Sequence, residues 1–114
     1  MAAINLIVIR SHDIDKSAAF YRLIGLNLVK HRHATGPEHY VWDQSGLVFE
    51  IYPETEKPGP STGTRLGFRV GEVATVVARL VDHGATVITP STNAGWGEMA
   101  IVADPDGHRV ELME

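Results

Sequence analysis

Two carboxylates, a guanidinium and a set of imidazoles are the side chains here whose types and spacing suit chemistry. Glu50 lies between Phe49 and Ile51, and Glu111 between Val110 and Leu112, so each is an acid on an otherwise apolar strand. Carboxylates gathered at one place perform acid–base catalysis, hold a divalent ion or receive a cationic ligand. Arg65 opens another apolar stretch, and its planar, permanently charged fork matches a carboxylate. His31 and His33, at i and i+2, form with His39 a second candidate set, for an unexpected metal site. Histidines at a loop mouth are ordinarily solvated, so no metal is assigned to them. Trp42 lies within a strand pattern, and Trp96 stands between two glycines on a loop, where a large ring is costly unless it packs on something. His12, His83 and His108 are expected to be structural.

Composition narrows the classes. With 114 residues and 44% hydrophobic content the chain makes one domain with a real core. It has no cysteine, which excludes disulfides and thiolate metal sites. A formal charge of −4 and the lack of a basic run argue against a nucleic-acid partner. No segment reaches the ~20 apolar residues of a membrane span, and the start lacks the pattern of a secretory signal. A soluble, cytoplasmic protein is the expectation.

The elements that must position these residues follow in order. Residues 4–9 are nearly all apolar and rich in β-branched residues, which predicts a strand. Ser11-His12-Asp13 then offers capping oxygens to a helix bearing Ile14, Ala18, Tyr21 and Ile24 at helical spacing and stopped by Gly25. Strands are predicted over 26–30, 39–43 and 47–52. Residues 53–64, with three prolines and two glycines, read as a linker. The pattern then restarts: a strand over 65–70, a helix over 72–83, a strand over 85–89 and a closing hairpin over 98–113 turned by Asp104-Pro105-Asp106-Gly107.

Each half is thus β-α-β-β-β, module 1 over 1–52 and module 2 over 65–114. An offset of 59 residues pairs Leu6 with Arg65, Arg10 with Arg69, Ile14 with Val73, Tyr21 with Leu80 and Gly25 with Gly84. After a small insertion, an offset of 61 pairs Glu50 with Glu111. An ordered set of this kind argues for internal duplication. In strand 47–52 the uniformly apolar Leu47, Phe49 and Ile51 suit a helix-covered face, which turns Val48, Glu50 and Tyr52 to the other side. The expected fold is α+β: two tandem modules forming curved mixed sheets around a cavity, with helices on the outer face.

The paired modules, Phe20-Tyr21 late in the first helix, Gly25-Leu26 after it and the ending DPDGHRVEL (104–112) resemble the vicinal-oxygen-chelate superfamily. That group includes glyoxalases, extradiol dioxygenases and bleomycin-resistance proteins. The resemblance implies the fold; it leaves the reaction open, because one scaffold carries both enzymes and drug binders. Enzymes of the group hold a divalent metal at four positions, which fall here on Leu6, Glu50, Arg65 and Glu111. The two glutamates are present and both histidines are replaced. Leucine has no donor atom and a guanidinium has no free lone pair.

The resemblance therefore implies a metal-independent small-molecule binder of the bleomycin-resistance type, without cofactor. Glu50 and Glu111 would serve as acid–base or ligand-pairing carboxylates, and Arg65, Val48, Tyr52, Trp42, Trp96 and Leu6 would line the pocket. Arg65 is expected to stand in electrostatically for the ion, and a cationic or aromatic ligand to meet the remaining negative charge. A second copy of the chain is the expected partner: the halves could face each other within one subunit or across two, and the resemblance implies the exchanged pairing common in short members, module 1 of one chain with module 2 of the other. The alternative is a glyoxalase-like lyase or isomerase, or a dioxygenase-related enzyme, with an altered or absent metal site.

Overall fold

The computed structural model describes residues 1–56 and 61–114; part of the expected linker, 57–60, lies outside the described residues. The β-branched run of module 1 forms β1 (Leu6–Ser11), which pairs in parallel with β4 (Leu47–Pro53). Between them in sequence come α1 (Ile14–Ile24), β2 (Val29–His31) and β3 (His39–Gln44). Module 2 repeats the order with β5 (Arg65–Arg69), α2 (Val73–Asp82), β6 (Thr86–Asn93), β7 (Glu98–Ala103) and β8 (Arg109–Met113). Each module is a four-stranded mixed sheet, ordered β1-β4-β3-β2 and β5-β8-β7-β6. The α+β architecture and the doubled pattern agree with the sequence; strand 26–30 shortens to Val29–His31, and strand 85–89 lengthens to Thr86–Asn93.

The repeat extends to register. Val8 stands opposite Glu50 in the parallel pair of module 1, and Gly67 opposite Glu111 in that of module 2. Local signals place α1: the Asp13 side chain accepts hydrogen bonds from the amides of Asp15 and Lys16, and Gly25 leaves the helix at φ 123°. α2 lacks a side-chain cap from Glu72; the amide of Val73 instead donates to the Glu114 carboxylate at 3.3 Å.

One core runs through both modules. Ile9, Tyr21, Phe49 and Ile51 belong to the same buried cluster as Leu66, Leu80, Val102 and Leu112. Phe68 of β5 meets the rings of Tyr21 and Phe49 at 5.8 and 6.2 Å, and α1 packs on α2. The modules therefore join through their helix-covered sides. The other side of each sheet, which carries Glu50 in one and Glu111 in the other, is covered only in part by the described residues: Leu6 and Val8 on β1 and Val29 on β2 are 52%, 36% and 58% exposed. Among the described residues no helix is long and apolar enough to cross a membrane.

Candidate functional site

Strand alternation and register place the site residues. Leu6 and Val8 of β1, Val48, Glu50 and Tyr52 of β4, and Val41 and His39 of β3 share the open side of the first sheet. On the second sheet Arg65, Gly67 and Glu111 lie together on the corresponding side. Trp42 is on the wrong side for this group: it stands opposite Phe49 and packs against the core. Its indole faces the helix layer because it occupies an odd step in the alternation that turns Val41 outward. Trp96 is 69% exposed on the loop between β6 and β7.

Arg65 donates from its guanidinium to Glu111 Oε1 at 2.9 Å, with side chains 57% and 26% exposed. Gly67, opposite Glu111, keeps the space above that carboxylate free; a Cβ there would lie 3.9 Å from Oε2. Glu50 sits elsewhere. Among the described residues no ion pair joins it to Arg65 or Glu111, and His39 Nε2 lies 3.6 Å from its Oε2. Tyr52 stacks on the His39 ring at 4.2 Å and lies under the Arg10 guanidinium. Burial, followed by the Glu50 charge, pushes the Tyr52 phenol above its ordinary range.

A second polar cluster escaped the sequence reading. Asp104 Oδ1 accepts the amides of Asp106 and His108, each at 2.9 Å. Its Oδ2 accepts from the Tyr21 hydroxyl and from His108 Nδ1, each at 2.7 Å. His108 Nε2 lies 2.7 Å from Ser61 Oγ, which also accepts the Arg10 amide at 2.7 Å. Asp106 accepts the Ser11 hydroxyl and the His12 amide at 2.7 and 2.6 Å. Burial opposes ionisation of Asp104, yet the bonds from His108 and Tyr21 together hold its carboxyl below the usual range. Burial likewise lowers His108, but Asp104 outweighs it and raises the imidazole. Donor atoms of Asp104, Asp106 and His108 fall within 4.8 Å of one another; every one is engaged in these bonds, so the cluster is a staple between modules. Its sequence signal was the DPDGH turn, but the partners Ser11, Tyr21 and Ser61 carry no mark of their own.

A hollow of about 450 Å³ lies on the helix side, between α1 and the start of β6, bordered by Phe20, Leu23, Leu80, Thr86 and Pro105. Neither Glu50 nor Glu111 lines it.

The four positions singled out by the family resemblance fall on side chains of different chemistry. Leu6 presents only carbon, and the Arg65 guanidinium already covers Glu111.

A family model described as the Glyoxalase/Bleomycin resistance protein/Dioxygenase superfamily matches residues 3–112. No curated protein matches the sequence. Among solved structures, TnmS3, an antibiotic binding protein from Streptomyces sp. CB03234, has 22% identity and TM-score 0.77 over 99% of this chain and 95% of its own. A glyoxalase/bleomycin resistance protein from the same organism has 23% identity and TM-score 0.73 over 98% of this chain and 100% of its own. A glyoxalase-related enzyme from Fulvimarina pelagi has 26% identity and TM-score 0.75 over 99% and 88%.

Proposed function

The chain belongs to the glyoxalase/bleomycin resistance protein/dioxygenase superfamily, and we propose that within it the protein binds a small organic molecule without a metal at the four family positions. The observation that carries this reading is the Arg65–Glu111 pair: a fixed cation lies 2.9 Å from one carboxylate at the place where an ion would need both acids free. The antibiotic-binding description of TnmS3 favours the same class of ligand.

The pocket is completed by a second copy. Each sheet leaves its acid-bearing side open, and the first exposes Leu6, Val8 and Val29 beside Glu50. Apposing that face to the Arg65–Glu111 face of a partner chain buries the apolar residues. It also encloses a cavity with helices on its outer face, in which Glu50 and Glu111 meet Arg65, with Arg10 over Tyr52 and Arg109 opposite Arg65 on the same faces. Val48, Tyr52 and Leu6 as walls suit an aromatic ligand; the expected preference for a cation weakens, because Arg10, Arg65 and Arg109 share these faces with the two acids. Trp96, exposed on its loop, contributes to the rim or to the dimer contact.

A thermal-shift screen of antibiotics and aromatic cations tests the reading. A ligand present at 100 times its Kd stabilises the fold by about 2.7 kcal/mol; Arg65→Ala and Glu50→Gln are expected to change which ligands do so. A screen with no hit, or hits indifferent to both substitutions, removes the reading. The enzyme alternative draws on the Fulvimarina neighbour and predicts turnover of methylglyoxal with glutathione.

A further inference from the structure

His39 is 1% exposed and its Nε2 has no hydrogen-bond partner. Its Nδ1 lies 3.2 Å from the carbonyl of Pro37. A carbonyl only accepts, so Nδ1 carries the hydrogen, and in the neutral ring Nε2 is left with a bare lone pair. That lone pair faces Glu50 Oε2 at 3.6 Å, beyond hydrogen-bond reach. Two acceptors aimed at each other in a buried setting repel unless something positive lies between them.

We propose that His39 Nε2 and Glu50 bind a divalent transition-metal ion, with the exposed His31 and His33 completing its shell. In a tetrahedral site with bonds of ~2.0–2.1 Å, neighbouring donor atoms stand about 3.3 Å apart, close to the observed separation. Imidazoles sharing such an ion have ring centres about 5 Å apart or somewhat more; His33 and His31 lie 5.2 and 6.2 Å from His39, and 5.8 Å from each other. Their nitrogens have not converged on a single point, but both side chains are exposed and turn about χ1 and χ2 without disturbing packing. The rest of the design resembles a built ligand: a backbone carbonyl fixes the His39 tautomer and Tyr52 stacks the ring in place. Three imidazoles and a carboxylate select zinc, cobalt or nickel over calcium or magnesium. Of the four family positions the site uses only Glu50. Its donors all come from module 1, and it shares Glu50 with the small-molecule reading; the His31→Ala/His33→Ala variant, which leaves Glu50 in place, separates the two.

The test is titration of the full chain, free of any affinity tag, with Zn2+ by calorimetry and with Co2+ by visible spectroscopy. One equivalent per chain is expected, with the intense visible bands of four-coordinate Co2+. Glu50→Gln and the His31→Ala/His33→Ala double variant should each weaken Zn2+ binding at least about 10-fold, while His12→Ala and His83→Ala leave it unchanged. His39→Ala should abolish it; the exposed double variant keeps the test decisive if that buried change unfolds the chain. Absence of saturable binding overturns the proposal. So does binding that survives both Glu50→Gln and the double variant, and so does an Nε2 found to carry a hydrogen that Zn2+ does not displace.

Discussion

Burial and pairing pull in opposite directions at His108, and pairing wins. Its imidazole is fully buried yet raised by Asp104, so the charged ring stabilises the fold. That contribution is fully present below the unfolded value of about 6.5 and is lost as pH climbs through the higher folded value. Asp104, held low, contributes above about 3.9 and ceases to do so as acid titrates it through its lower folded value. Melting temperature should therefore peak in the weakly acid range and decline above neutrality. In His108→Gln the alkaline decline should flatten, with an overall loss of about 1–3 kcal/mol from the unsatisfied Asp104 oxygen; denaturant titrations across pH measure both. The same scale marks the limit of legibility. Glu50, Glu111 and Arg65 were visible because each is a charge in an apolar run. The role of Ser61 was not, since its hydroxyl meets His108 47 positions away and serine is unremarkable in a loop.

At the scale of elements, local chemistry was enough. Periodicity located both helices, and the alternation in residues 47–52 assigned the two sides of β4 correctly. The second module's insertion also becomes concrete in part: β3 and β4 turn through Ser45 and Gly46, both at positive φ, as a two-residue hairpin does. β7 and β8 turn through Pro105-Asp106-Gly107, one residue longer, with Gly107 at φ 94°. That added residue belongs to the turn from which Asp106 reaches module 1. Caps differ as well. Asp13→Ala should cost about 1 kcal/mol because two amides lose their acceptor. Glu72→Ala should fall within about 0.5 kcal/mol of wild type, since Glu72 caps nothing. Parallel urea denaturations of the two variants compare them directly.

For the whole molecule, the sequence foretold two sheets but not how they join. Periodicity reports which face of an element is apolar, and says nothing of which apolar face meets which. Here the helix-covered sides meet each other through Phe68, Tyr21 and Phe49, while Glu50 and Glu111 stay on separate surfaces. If the second copy completes the pocket, light scattering should give twice 12.4 kDa. Leu6→Lys should then return the particle to a single chain while leaving its unfolding midpoint at low concentration almost unchanged, because Leu6 is already half exposed.

The staple from Asp104 and Asp106 to Ser11, His12 and Tyr21 has one more outcome. Peptide-bond continuity is not what keeps the halves together. A chain whose backbone is interrupted between module 1 and Ser61 should run as one species on a sizing column and separate only in denaturant. Produced as separate polypeptides and mixed, the two pieces should find each other and reconstitute the parent's circular dichroism.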